Sequence, residues 1–178
     1  MDRSTLSRRR LLVAGAGTVA GLVLAACSSS KTGGPSTGGS AATDFSQRFA
    51  KYQPDVEPNG DLAKVVWPDY VTSAVPEVKR LYEFQITHGE LMRYMPCFCG
   101  CGQSGHRSNR DCFIKAVNPD GSVEFDQMAP TCDICLGVAR QAKTMLSQGK
   151  TPRVIRAAID RKYADKIDRS TPTPYPPE

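Results

Sequence analysis

The chain has no apolar run long enough to cross a bilayer. Its most apolar stretch, Leu11–Ala26, is 16 residues rich in glycine and alanine, short of the roughly 20 that a spanning helix needs. It has no basic run and no ladder of aromatic residues, so nucleic acid is not an expected partner. No Ser–His–Asp set, paired-carboxylate site or phosphate-binding loop is apparent, and no oxygen-rich cluster suits Mg or Ca. There is no internal repeat. A haem-attachment motif is missing too, because Leu136 stands where C-x-x-C-H requires histidine. These absences argue against nucleic-acid binding, triad or paired-carboxylate hydrolysis, phosphate binding and haem attachment.

The N-terminus supplies the first positive signal. Arg3, Arg8, Arg9 and Arg10 precede the uncharged segment Leu11–Ala26, which ends in Leu24-Ala25-Ala26-Cys27. Small residues suit the narrow pocket of a signal peptidase, and a cysteine directly after them resembles the bacterial lipobox, whose thiol takes a diacylglycerol. Residues 1–26 are therefore expected to be a lipoprotein signal peptide, with Cys27 lipidated and the protein held at the extracytoplasmic face of the cell membrane. Ser7-Arg8-Arg9-Arg10-Leu11-Leu12 also resembles a twin-arginine export signal, which carries folded proteins. Four of the 23 basic and one of the 18 acidic residues lie in the leader, so the remainder carries a net charge of only +2.

Residues 27–43 are mostly Ser, Gly, Thr and Ala, a composition that cannot bury a core. They read as a flexible linker reaching about 20–24 Å. Residues 44–169 are long enough for one small domain, and residues 170–178 form a proline-rich tail. Within the domain, a short helix is expected near Phe45–Tyr52. A longer one should be capped by Ser73, with Pro76 in its first turn and Val78, Leu81, Tyr82 and Ile86 on its buried face. Gly89 interrupts it and Pro96 ends the following turn. Asn118-Pro119-Asp120-Gly121 is a turn signal between two short strands, Phe113–Val117 and Ser122–Phe125. Thr131 is the expected N-cap of a helix running to Gln148, with Gly149 beyond it, and Thr151-Pro152 starts the last helix. The fold class is thus mainly α: a small helical domain with a Cys-rich loop and one β-hairpin.

Six cysteines remain after Cys27: Cys97, Cys99, Cys101, Cys112, Cys132 and Cys135. An even number in an exported protein ordinarily suggests disulfides. Cysteines one residue apart, however, pair only in a strained ring. The run Cys97-Phe98-Cys99-Gly100-Cys101 is better suited to wrapping sulfurs around an ion, with glycines that let the backbone pass close. Cys132-Asp133-Ile134-Cys135 adds two thiols at the start of a helix, whose positive end favours thiolate. Cys112 and His106 lie between these groups in sequence and could complete a site. His88, at a helix break, suits a capping or surface role. Met92 and Met95 suit core packing better than thioether ligation. Three readings remain open: metal ligation, a disulfide-stapled interaction domain, and a redox-active dithiol at Cys132 and Cys135.

Met95–Phe113 (MPCFCGCGQSGHRSNRDCF) resembles the bacterial lipoproteins named for a PCYCGC motif, with Phe98 in place of tyrosine. The likeness continues through TCDICLGVA, the Gly149–Pro152 junction, the Ile155–Tyr163 helix and the proline-rich end. It implies a membrane-anchored, cysteine-rich protein with proposed metal association. A more distant likeness, from the Cys132-x-x-Cys135 pair and the helices after it, is to the membrane-tethered thiol reductases of cytochrome c maturation. The second helix follows too soon for a full match.

Thiolates select soft or borderline ions, so the expected cofactor is Cu(I) or Zn(II). Its ligands would be Cys97, Cys99, Cys101, Cys112, Cys132, Cys135 and His106. The expected partners are the membrane, through the lipid, and a protein that donates or accepts the metal. Catalysis is not expected.

Overall fold

The computed structural model describes Gln47, residues 49–53 and residues 58–177. The expected leader, the lipidation site Cys27 and the linker lie outside these residues. Of the short helix expected near Phe45–Tyr52, Gln47 and Phe49 are helical and Ala50–Lys51 form a turn. Among the described residues no helix is long and apolar enough to cross a membrane.

The domain is mainly helical with one hairpin. Helix α1 is a single turn, Asp69–Thr72, and α2 spans Pro76–Thr87. Pro76 sits at the first position of α2, where its missing N–H costs nothing. The N-cap is Val75, without a side-chain bond, whereas Ser73 closes the end of α1. The expectation that Ser73 starts α2 is therefore corrected: proline's own fixed φ supplies the entry. Helix α3, Gly89–Met92, follows directly and buries Leu91 and Met92.

Strands β1 (Ile114–Val117) and β2 (Val123–Phe125) pair antiparallel, with an irregularity between Ile114 and Ala116. The Asp120 carboxylate accepts from the backbone and hydroxyl of Ser122, closing the turn. A single 3-10 turn, Ala129–Thr131, leads into α4, Asp133–Ser147. The N-cap of α4 is Cys132, whose sulfur accepts the N–H of Cys135. Thr131, the expected cap, instead belongs to the 3-10 turn. Helix α5 spans Pro152–Lys162, and the Thr151 hydroxyl accepts the N–H of Val154.

Helices α4 and α5 form a hairpin, and α2 packs on α4. Two apolar clusters result. One gathers Leu81, Tyr82, Ile86, Phe113 and Ile114 where α2 meets the hairpin. The other gathers Phe84, Met92, Met95, Val138, Ile155, Ile159 and Tyr163. Burying such side chains stabilises by about 1.5–3 kcal/mol each before conformational entropy is charged.

The C-terminal residues are part of this domain. Thr171, Thr173, Pro174 and Pro176 are buried. Arg156 on α5, fully buried, donates through Nη1 to the carbonyls of Tyr94, Thr173 and Pro174 at 2.8, 3.2 and 2.8 Å. Its Nε faces both carboxylate oxygens of Asp160 at 3.0 Å, and the Tyr175 hydroxyl donates to the same carboxylate.

Candidate metal centre

The cysteine loop is set between the two clusters. The Phe98 ring enters the α4–α5 cluster and stacks on Tyr163, with centroids 5.1 Å apart and planes 18° from parallel. Cys97 and Cys101 belong to the other cluster, beside Tyr82 and Phe113. The aromatic residue of the run thus anchors the loop while the thiols gather on another side. Gly100 and Gly105 bracket a 3-10 turn at Cys101–Ser104 with φ of 93° and 90°. Those left-handed angles strain any residue carrying a Cβ.

Hydrogen bonds fix both ends of the loop. The Cys97 N–H donates to the Thr171 hydroxyl at 2.9 Å, and the Thr171 N–H donates to the Cys97 carbonyl at 2.8 Å. The Thr171 hydroxyl meets that of Thr173 at 2.7 Å, and Thr173 donates to the carbonyl of Arg107 at 2.6 Å. Arg169 donates to the carbonyl of Cys99 at 2.8 Å. At the far end, the buried Asn109 side chain donates to the carbonyl of Cys135 at 3.2 Å and accepts from Gln85 at 3.0 Å. None of these supporting residues stands out in the sequence as functional. Their only signal is the threonine–proline alternation of 171–174 and the polar run Ser108–Arg110 between apolar segments.

Three segments deliver six thiols. Cys97, Cys99 and Cys101 come from the loop, Cys112 from the 3-10 turn Arg110–Cys112, and Cys132 and Cys135 from the start of α4. All six are free. The Sγ atoms of Cys97 and Cys99 are 3.3 Å apart, those of Cys97 and Cys135 3.4 Å, of Cys101 and Cys112 3.5 Å, and of Cys99 and Cys135 3.8 Å. Metal–sulfur bonds of about 2.3 Å would put the corners of a tetrahedral thiolate site about 3.8 Å apart.

Two groups satisfy a ligand geometry. The sulfurs of Cys97, Cys99, Cys101 and Cys112 lie within 4.8 Å of one another, and so do those of Cys99, Cys132 and Cys135. The cluster could therefore hold a metal. His106 stands at its edge, with Nδ1 3.4 Å from Cys112 Sγ and Nε2 3.8 Å from the Asp126 carboxylate. His88 lies elsewhere: its ring packs on Phe84, and Nδ1 is 2.8 Å from the Thr87 hydroxyl. Met92 and Met95 are buried in the α4–α5 cluster as core residues.

The thiols share protons unequally. Hydrogen bonds from Cys101, Cys112 and Cys135 hold the Cys97 thiol well below its ordinary value, at about 4. The same donors lower Cys99, Cys101 foremost. Cys112 is pushed up by its bonds to Cys101, Cys135, Cys97 and Cys99, with burial adding to the rise. Thiolate is the form that ligates metal.

The chain belongs to the family described as proteins of unknown function with a PCYCGC motif, whose model matches residues 17–176. Here the motif reads Pro96-Cys97-Phe98-Cys99-Gly100-Cys101. No curated protein and no solved structure matches the chain.

Proposed function

We propose that this PCYCGC-motif protein is a membrane-anchored extracytoplasmic lipoprotein that binds a soft metal ion through its clustered cysteines. Its role is capture, buffering or handover of the metal, not catalysis. The observation that carries the reading is the approach of the Cys97 sulfur to those of Cys99 and Cys135 at 3.3 and 3.4 Å, across two segments far apart in sequence. A set of thiolates suits Cu(I) first and Zn(II) next. Attachment through Cys27 after export by way of Arg8-Arg9 would place the site at the outer face of the cell membrane, where a donor or acceptor protein could reach it.

Metal bound across the loop and α4 would appear as folding stability. Reduced protein should gain thermal stability with Cu(I) or Zn(II). Cys99→Ser should abolish most of the gain, and His88→Ala should leave it. No gain in the parent protein with either ion would refute the reading.

One arrangement favours a second reading, a thiol–disulfide oxidoreductase. Cys132 is half-buried at the N-cap of α4, and Cys135 is fully buried in the turn behind it. In that role Cys135→Ser should trap a mixed disulfide at Cys132, and failure to trap one would remove it.

A further inference from the structure

Cys99 belongs to both groups of sulfurs. Its Sγ lies within 4.8 Å of all five others; Cys97, Cys101 and Cys112 group with it on one side and Cys132 and Cys135 on the other, and the two sides meet at the 3.4 Å approach of Cys97 to Cys135. We infer that the cluster holds two metal ions bridged by the Cys99 thiolate: an inner ion on Cys97, Cys99, Cys101 and Cys112, and an outer, exchangeable ion on Cys99, Cys132 and Cys135. This inference rests on the metal-binding reading above and specifies its nuclearity.

Charge supports a shared sulfur. Four thiolates on one divalent ion leave a net charge of −2 on a single buried centre, which is costly to desolvate. Six thiolates on two divalent ions carry the same −2 over twice the metal. The carbonyl of Cys99 also accepts from the Arg169 guanidinium at 2.8 Å, which brings a positive charge to the bridging residue.

Burial separates the two positions. Cys97, Cys101 and Cys112 are buried, and with Cys99 they give the inner ion four sulfurs and no open coordination position. Such closed four-coordinate sites are structural in character. Cys99 and Cys132 are only half-buried. Of these two, Cys132 is a ligand of the outer position alone. Three sulfurs complete a trigonal site for Cu(I) and leave a fourth position open on Zn(II), which a ligand from a partner could occupy. The inner ion would fix the loop, and the outer ion would be the one passed on.

The test uses the full chain, reduced and metal-free, titrated with isotopically enriched Cd(II) as a soft divalent probe. Two cadmium ions should bind per chain and give two NMR resonances split by scalar coupling through the shared sulfur. A chelator should remove one ion well before the other. Cys132→Ser should lose the outer resonance and keep the inner one. Two uncoupled resonances would overturn the bridge, and a single ion per chain would overturn the second position while leaving metal binding intact. No bound cadmium would overturn both this inference and the proposed function. The coupling is measured on the parent protein, so it does not depend on whether any variant folds.

Discussion

Thr171 holds Cys97 by both of its main-chain polar groups: its N–H donates to the Cys97 carbonyl at 2.8 Å, and its hydroxyl accepts the Cys97 N–H at 2.9 Å. Both residues are fully buried. The proline-rich end of the chain thereby sets the first cysteine of the motif, 74 residues earlier. Continuing through Thr173 to the carbonyl of Arg107, the same hydroxyl chain reaches the other end of the loop.

Replacing Thr171 with valine keeps the shape and strands a buried N–H. The expected loss is about 1–3 kcal/mol of stability, with weaker metal affinity and an unchanged thiol count. Thr171→Ser should restore most of both. Urea unfolding and competition with a chelator would measure the two effects, and equal behaviour of the valine and serine variants would discount the hydroxyl.

Arg156 and Asp160 form a fully desolvated pair whose burial lowers the arginine from its ordinary pKa. Arg156→Met should cost about 3–5 kcal/mol, because it leaves a buried carboxylate without its partner. Residues 170–177 should become accessible to hydrogen exchange in the same variant. Unchanged protection there would mean that the tail is held by other contacts.

Gly137 on α4 faces the Tyr163 hydroxyl so closely that a Cβ would stand 2.5 Å from it. Gly137→Ala should destabilise by about 1–3 kcal/mol through overpacking. Adding Tyr163→Phe should recover part of that loss, a coupling a double-mutant cycle would detect. Additive effects would show that the helix moves instead.

Lipid attachment is tested at Cys27. Cys27→Ser should yield an uncleaved precursor or a released form in place of membrane-anchored protein. A serine variant with the parent's mature mass and the same partition into detergent would overturn the lipobox reading.

The elements legible in the sequence are those specified locally. Pro76, the Thr151-Pro152 pair and Asn118-Pro119-Asp120-Gly121 announce their helix starts and turn within a few residues. The loop's thiol run and its glycines at 100 and 105 are equally local. Thr131 misleads because a threonine oxygen is the stronger capping acceptor, yet the chain's path puts the Cys132 sulfur in that place. Thr171, Asn109 and Arg156 act across long sequence separations, so no spacing rule reveals them. Their roles follow from packing: each answers a polar group that the fold has already buried. The cluster's ligand candidates were readable from cysteine spacing, but not its division about Cys99, which depends on where α4 meets the loop.

The most direct test is a paired metal analysis and thiol count on protein purified without oxygen from its own host's membranes. The expected result is bound copper or zinc, with Cys97, Cys99, Cys101, Cys112, Cys132 and Cys135 protected from a thiol reagent until a chelator strips the metal, after which all six react. Six oxidised cysteines, no metal, and no thermal shift when Cu(I) or Zn(II) is added after reduction would contradict a metal centre and leave a disulfide-stapled domain.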